Sequence, residues 1–223
     1  MSMKIIARIY TDFKEKFGIP RQSGIASHAR GIIVFEEEYR RPEALRGIEG
    51  YSHLWLIWKF SEAERESWSP TVRPPRLGGN KRVGVFATRS PYRPNPIGLS
   101  SVELIGVEKT RDKGDVLIVG GADILDGTPI YDIKPYLAYT DSHPEAVGGF
   151  SDDVLGYKSE VIIPEEYVSV LSDSELTEIR ELLEHDPRPS YQNDGEREYG
   201  MIYGTHEVHF RAEDGVITVT KID

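Results

Sequence analysis

The sequence predicts a mainly β protein, a barrel or a sandwich, followed by a small α+β appendage. Over residues 1–140, short stretches rich in β-branched and aromatic residues are separated by Gly, Pro, Asp or Asn. Several stretches alternate in polarity, as Ser-Val-Glu-Leu at 101–104 does, which is typical of a strand with one solvent-exposed face. No long helical period interrupts them, so the pattern points away from a doubly wound α/β sheet.

Strands are predicted where β-forming residues run between turn formers. These stretches are 4–10, 30–37, 52–60, 83–88, 99–109 and 115–123. Asp132 and Lys134 fall two residues apart on a further strand, so their side chains share one face. They form either a surface pair or part of a site.

The C-terminal part of the chain predicts one helix and one hairpin. Residues 172–185 begin with a capping box between Ser172 and Glu175 and carry apolar residues along one face. Residues 204–222 predict a hairpin that turns at Asp214-Gly215. The change in character places a β domain at 1–145 and a small α+β domain at 160–223.

Composition bounds the class of protein. The chain has 223 residues, of which 39% are hydrophobic and 29% charged, as expected for a globular protein. It contains no cysteine, which excludes disulfides and thiolate metal sites. Its longest apolar stretch, 54–58, is too short to span a membrane, and its start predicts a strand instead of a signal peptide. We therefore expect a cytoplasmic protein with no membrane partner.

Charge is divided unevenly along the chain, whose net charge is −10. Residues 1–110 hold 18 Lys and Arg against 12 Asp and Glu, a net of +6. Residues 111–223 hold 9 against 25, a net of −16. The first half is therefore able to present a basic face to nucleic acid, and the acidic half is explained equally well as a solubility surface.

A stiffened loop is the most unusual local feature. Residues 87–100, ATRSPYRPNPIGLS, contain two arginines and three prolines, and proline fixes φ and restricts the residue before it. The loop is either a rigid surface connection or a pre-shaped wall that holds Arg89, Arg93 and Asn95 against an anionic or planar ligand. The residues of the loop support the two interpretations equally, because loops on rigid scaffolds often carry function.

A tight turn and the histidines are the remaining candidates for chemistry. Asp126-Gly127-Thr128 forms either an ordinary Asx-turn or a site whose carboxylate accepts from hydroxyls or an exocyclic amine. The six histidines show no HExxH spacing, and we expect no metal site. Trp55 and Trp58 are interpreted as barrel packing in preference to a base-stacking platform.

Four ordered stretches together resemble the TsaA-like/TrmO family of S-adenosylmethionine-dependent tRNA methyltransferases. They are FKEKFGIPRQ, YSHLWLIWKF, VGVFATRSPYRPNPIGLSSVEL and DILDGTPIYDIKPYL, and DPRPSYQ…REYG resembles the family's C-terminal extension. The resemblance implies a compact β-barrel methyltransferase domain, commonly a homodimer, that binds S-adenosylmethionine. It also implies methylation of N6 of the threonylcarbamoyl-modified adenosine beside the anticodon, with a threonine tRNA as the expected substrate.

The resemblance carries site residues over to this sequence. The implied cofactor contacts are Pro20, Arg21, Gln22, Ser61, Glu62, Arg89, Leu99, Leu125, Asp126, Gly127 and Thr128. Arg89 is assigned either to the methionine carboxylate or to bracing its own loop. Ser61-Glu62 stands where the family pattern has a His-Gln pair. Asp126 and Asp132 are the candidates for accepting the N6 proton. The residues assigned to RNA are Arg73, Arg76, Lys81, Arg82 and Arg93, with Arg21 and Arg30 as further phosphate contacts.

Three hypotheses stay open at this point. The first is the tRNA N6-adenosine methyltransferase, and the second is a methyltransferase of the same fold that acts on another RNA or on a small molecule. The third is a non-enzymatic β-barrel module that binds a peptide or an anion. The acidic second half and the Ser61-Glu62 departure motivate the second hypothesis.

Overall fold

A closed barrel and an open sheet organise the chain. They are seen in a computed structural model that describes residues 3–63, 67–154, 156–189, 192 and 194–223. The mainly β class and the barrel expected from the sequence are confirmed. No helix among these residues is both long enough and apolar enough to cross a membrane.

Within the described residues, six antiparallel strands close the barrel. They are β1 (Ala7–Thr11), β2 (Arg30–Phe35), β3 (His53–Lys59), β6 (Ile97–Thr110), β7 (Gly114–Gly120) and β8 (Thr128–Pro135). Their order around the barrel is β1-β2-β7-β6-β3-β8, and β8 pairs back onto β1. A separate short ribbon pairs β4 (Thr71–Val72) with β5 (Val83–Gly84).

Alternating side chains fill the barrel interior. On β3 the residues Leu54, Leu56 and Trp58 are buried, while those between them face outward. The Trp58 indole lies against Gly98 on the paired strand β6, and a Cβ atom at Gly98 would overlap the ring. Packing of Trp58 in the barrel is thus confirmed, but Trp55 lies on the outer wall.

Antiparallel closure places three of the connections between barrel strands at one end of the barrel. Since each strand runs opposite to both neighbours, β1, β3 and β7 end at the rim where β2, β6 and β8 begin. We call this rim the barrel mouth, and the connections 12–29, 60–96 and 121–127 the mouth loops. The opposite end carries residues 36–52 and the short turn 111–113.

Glycine allows two of the mouth loops to touch. The amide of Gly24 donates to the carbonyl of Gly121 at 2.8 Å, and the amide of Gly121 donates to the carbonyl of Ala29 at 2.9 Å. Gly121 has φ of +70°, and a Cβ atom there would lie 3.1 Å from the Gly24 Cα atom. A side chain at Gly121 would therefore strain the turn and separate the loops.

The C-terminal domain is a four-stranded sheet with short helices. Its strands are β9 (Glu160–Ile162), β10 (Tyr199–Tyr203), β11 (His206–Glu213) and β12 (Val216–Ile222), in the order β10-β11-β12-β9. The helices are α1 (Ala138–Asp141), which follows the barrel, α2 (Glu165–Val168) and α3 (Asp173–Glu184). Helix α3 begins with the capping box of Ser172 and Glu175, as the sequence predicts. The hairpin that turns at Asp214-Gly215 is also confirmed.

The first mouth loop is packed into the C-terminal domain. Phe13, Ala26 and Ala29 belong to the same buried cluster as Ile179 of α3. Glu181 of α3 accepts hydrogen bonds from Ser27 and His28. Burial alone would raise the pKa of Glu181, but these hydrogen bonds outweigh it and hold the pKa below its ordinary value. The C-terminal domain therefore helps to hold residues 12–29 in place, together with the barrel.

One strand prediction is wrong. Residues 83–88 are expected from the sequence to form a strand, but only Val83–Gly84 pairs, and Val85–Ala87 forms a 3-10 turn outside the barrel. Val85 is buried there, but Ala87, which would share its face in a strand, is exposed, so the alternation of a strand is not kept. The sixth barrel strand is Thr128–Pro135, on which Asp132 and Lys134 lie.

The Gly98→Ala substitution is expected to destabilise the barrel by about 1–3 kcal/mol, because the added methyl group displaces the Trp58 ring. Urea unfolding of the purified protein measures this change. Gly106→Ala on the same strand is the matched control, since nothing lies within 4 Å of a Cβ atom there. Equal stability of the two variants would contradict this account of the barrel packing.

Candidate active site

Most sequence-assigned site residues lie on the mouth loops. Residues 20–22 lie on the first loop, Ser61, Glu62 and Arg89 on the second, and residues 125–127 on the third. Leu99 and Thr128 lie near the starts of strands β6 and β8, at the same rim. Antiparallel closure thus gathers segments that are more than 100 residues apart in the sequence.

Arg89 joins two of these loops. One of its Nη atoms donates to the side-chain oxygen of Gln22, so residues from the first and second mouth loops meet directly. Beside this contact lies a pocket of about 420 Å³ on the outer wall of β3 and β6, which we call the Arg89 pocket. It is lined by Ser23, His53, Trp55, Arg89, Leu99, Ser101, Tyr136 and Asp141.

The Arg89 pocket has an apolar and aromatic wall. Leu99 is 57% exposed, and the Trp55 and Tyr136 rings lie 5.4 Å apart between centroids. Asp141 fixes this wall, because one carboxylate oxygen accepts from the Trp55 indole and from the backbone amide of Leu137, each at 2.9 Å. These hydrogen bonds lower the pKa of Asp141. The wall is therefore pre-formed.

The proline-rich loop is braced by Arg93. Its guanidinium donates to the carbonyl of Thr88 at 2.7 Å, and the amide of Phe60 donates to the carbonyl of Pro96 at 2.9 Å. The loop is thereby closed on itself and tied to the end of β3. The bracing of the loop through backbone carbonyls, which was one expectation for Arg89, is made by Arg93 instead. Arg89 donates its hydrogen bond to the Gln22 side chain.

Asp123 was missed by the sequence analysis. Its carboxylate accepts from Ser100 Oγ at 2.6 Å, and Ser100 accepts from the Trp58 indole at 3.0 Å. Burial raises the pKa of Asp123, while the Ser100 hydrogen bond and the positive charge of Arg89 act to lower it. Asp123 therefore connects the barrel core to Arg89. Its place at the head of DILDGT, three residues before Asp126, was the available signal.

Asp126 is held by the first strand and the residues that follow it. Its two carboxylate oxygens accept from the Thr11 amide at 3.0 Å and pair with Lys14 Nζ at 3.0 Å. Gly127 follows with φ of +73°, and Thr128 Oγ1 donates to the carbonyl of Leu125 at 2.6 Å. The turn 126–128 lies at the barrel mouth. Among the described residues, it lines neither the Arg89 pocket nor the large cleft beside the C-terminal domain.

The other assigned residues on this side lie near the mouth. Asp132 pairs with Lys134 at 2.9 Å on the outer wall. The register places Asp132, Ile57 and Leu99 in one row across β8, β3 and β6, so Asp132 and Leu99 stand about 10 Å apart. Glu62 forms an ion pair with Lys16 at 3.0 Å, which ties the end of β3 to the first mouth loop.

A cleft of about 2610 Å³ separates the second mouth loop from the C-terminal domain. We call it the interdomain cleft, and its walls come from segments 18–25, 67–75, 82–96, 148–152, 185–189 and 212–215. Pro20, Arg21, Gln22 and Arg89 all line it. The Arg21 guanidinium donates to the carbonyls of Asp186 and Arg188, so it links the first mouth loop to the C-terminal domain.

The arginines assigned to RNA are partly gathered in this cleft. Arg73, Arg82 and Arg93 line it. Lys81 is exposed next to Arg82, and Arg30 is exposed at the start of β2. The Arg76 side chain falls outside the described residues.

The sequence of this chain is similar to those of known tRNA methyltransferases. Residues 8–142 match the model of the tRNA-methyltransferase O N-terminal domain, and residues 159–223 match that of the TrmO C-terminal domain. The tRNA (adenine(37)-N6)-methyltransferase of Escherichia coli K12 is 40% identical, over 98% of this chain and 96% of that protein. RcsF of Pseudomonas aeruginosa, described as a candidate S-adenosylmethionine-dependent methyltransferase, is 40% identical over 94% of this chain and 91% of that protein.

Solved structures extend the similarity to three dimensions. A crystal structure of TrmO from Pseudomonas aeruginosa matches with a TM-score of 0.78 and 32% identity, covering 100% of this chain and 98% of that one. Another TrmO crystal structure matches with a TM-score of 0.79 and 34% identity, covering 100% of this chain and 97% of that one. With both domain models matched in order and relatives aligned over nearly the full length, the chain belongs to the tRNA-methyltransferase O family.

Proposed function

We propose that this chain transfers the methyl group of S-adenosylmethionine to N6 of adenosine 37 in tRNA, in its threonylcarbamoyl-modified form. One observation carries the proposal for this member of the family. Arg89, which donates a hydrogen bond to Gln22, and Leu99 line one pocket on the outer barrel wall next to the mouth, beside a cleft lined with arginines. This arrangement joins a ligand pocket to a basic surface suited to RNA.

The Arg89 pocket fits the cofactor in size and chemistry. Its volume of about 420 Å³ is within the range of small-molecule sites. Arg89 supplies a cation for a carboxylate, and Leu99, Trp55 and Tyr136 supply apolar and aromatic faces for a nucleoside. When bound, S-adenosylmethionine supplies an electrophilic methyl group together with its own leaving group. The remaining task of the protein is to align the two partners and exclude water.

We assign roles to the surrounding residues on this basis. Residues 20–22, Ser61, Glu62 and residues 125–128 are assigned to cofactor binding on the resemblance, and they lie on the mouth loops or at the start of β8. Asp126 and Asp132 are the proposed acceptors of the N6 proton. Asp123 is a proposed positioning residue, because its carboxylate is fixed by Ser100 of the barrel and lies within the electrostatic influence of Arg89.

The RNA is proposed to follow the arginine side of the interdomain cleft. Arg73, Arg82 and Arg93 lie there, and Arg76 and Lys81 are neighbours of this set in the sequence. The opposite wall contains Glu213 and Asp214, which would repel phosphates. The backbone of a threonine tRNA is therefore expected on the barrel side of the cleft.

Other assignments complete the proposal. The protein is a cytoplasmic homodimer with a cofactor-binding barrel domain at 1–145 and a small α+β domain at 160–223. It needs no metal. Glu207, His209 and Asp223 lie close together, but Lys221 Nζ lies 2.5 Å from Asp223 and neutralises that carboxylate.

The function is tested by calorimetry and by mass spectrometry of threonine tRNA. The wild-type protein should bind S-adenosylmethionine and add the mass of one methyl group to the threonylcarbamoyl nucleoside. Arg89→Ala should weaken cofactor binding by about 10- to 150-fold, since hydrogen bonds to charged groups contribute about 1.5–3 kcal/mol. Cofactor binding without tRNA methylation would favour another methyl acceptor, and no cofactor binding would favour a non-enzymatic module.

Asp123→Asn is expected to lower cofactor affinity about tenfold while the protein stays folded, because the amide keeps the size of the carboxylate but removes the negative charge that is proposed to hold the Arg89 guanidinium in position. Calorimetric titration with S-adenosylmethionine measures the change in affinity. Asp112→Asn, in the turn at the opposite end of the barrel, serves as control. If both variants bind as wild type does, Asp123 does not position Arg89.

Arg82→Ala is expected to weaken tRNA binding and to flatten its salt dependence. Removal of one phosphate interaction should reduce the slope of log affinity against log salt by about 0.7–0.9. Filter binding at several salt concentrations gives the slope. Arg111→Ala, in the turn between β6 and β7, is the charge-matched control and should keep the wild-type slope. An unchanged slope in Arg82→Ala would contradict the proposal that the RNA follows the cleft.

A further inference from the structure

Exposed aromatic side chains line the interdomain cleft. Phe86 is 73% exposed and Trp68 is 51% exposed, and both face the cleft. Single exposed apolar residues are common on protein surfaces, but two large rings in contact on the arginine side of a cleft form a patch typical of a binding site. The barrel and the Arg89 pocket do not use either ring.

The local fold holds Phe86 outward. Val85 is buried and its amide donates to the carbonyl of Pro70 at 3.0 Å, while Thr88 Oγ1 donates to the carbonyl of Val85 at 2.8 Å. These contacts fix the short turn at Val85–Ala87, and the residue after Val85 must then point away from the protein. The exposure of Phe86 is thus built into the backbone and is not an accident of its rotamer.

The two rings and Arg93 form an ordered group, which we call the aromatic platform. The centroids of Trp68 and Phe86 are 6.2 Å apart and their planes are inclined by 31°. The guanidinium carbon of Arg93 lies 6.0 Å from the Phe86 centroid, and its Nη1 atom is anchored on the carbonyl of Thr88. A π surface next to fixed positive charge is the combination that holds unpaired bases of single-stranded nucleic acids.

We propose that the aromatic platform stacks an unpaired nucleotide that flanks the target adenosine in the anticodon loop. The inference rests on the proposed function, which places tRNA in this cleft. Phe86, Arg89 and Gln22 line the same cleft, and Phe86 and Arg89 are three residues apart in the chain, so a base on the platform lies close to a base at the Arg89 pocket. Because the target lies in a loop, its neighbours are free to unstack onto protein rings.

The test uses an anticodon stem-loop RNA that carries 2-aminopurine next to the modified adenosine, on either side in turn. Wild-type protein should quench the fluorophore at one of the two positions. Phe86→Ala should abolish this quenching and weaken RNA binding by about 5- to 150-fold, with the salt slope unchanged. Trp68→Ala should act in the same direction, and Phe86→Tyr should restore both signals.

Tyr10→Ala is the matched control. Tyr10 is an exposed aromatic residue with Lys113 Nζ 5.7 Å from its ring centroid, and it lies outside the cleft. Wild-type quenching and affinity in Phe86→Ala would overturn the platform, as would an equal weakening in Tyr10→Ala. Methylation of threonine tRNA by the same wild-type sample separates this failure from failure of the proposed function. If RNA binding depends on Phe86 but the wild-type protein does not methylate threonine tRNA, the platform is supported and the proposed function is not.

Discussion

The fold depends on one constraint, which is that an even number of antiparallel strands closes into a barrel. Closure forces the loops 12–29, 60–96 and 121–127 to one rim, although more than 100 residues separate their ends in the sequence. The interactions of Gln22 with Arg89, of Gly24 with Gly121 and of Lys14 with Asp126 follow from that proximity. A barrel whose interior is filled around Trp58 leaves the chemistry to its loops, in keeping with the general division between rigid scaffold and functional connection.

The C-terminal domain is part of the site through the first mouth loop. Phe13, Ala26 and Ala29 are buried in its core, and Glu181 holds the backbone of His28. Gly18, with φ of +91°, passes so close to Met201 that a Cβ atom would lie 3.2 Å from its Sδ atom. Residues 20–22 are therefore positioned by contacts with the C-terminal domain as well as with the barrel. The domain also supplies the acidic wall of the cleft, and that wall gives the RNA one preferred side.

Much of the fold was predictable because local patterns agree with the tertiary structure. The capping box at Ser172, the turn at Asp214-Gly215 and the alternation along β3 each specify an element without long-range information. The strand prediction at 83–88 fails for a tertiary reason, because the Val85 amide donates to the carbonyl of Pro70 and residues 85–87 form a 3-10 turn outside the barrel. Asp123 was missed because its importance comes from Ser100 and Arg89, which no spacing rule relates to it. The resemblance provided the site residues, but only the strand register relates Leu99 to Asp132.

The central claim is that the cofactor binds on the outer wall of β3 and β6, next to the place where the first and second mouth loops meet. A crystal structure with S-adenosylhomocysteine, the product that keeps the carboxylate and the nucleoside, tests it most directly. The account predicts the product in the Arg89 pocket, with its carboxylate within hydrogen-bond distance of Arg89 and its nucleoside against Leu99. Product bound at the opposite end of the barrel, near the turn 111–113, would contradict it.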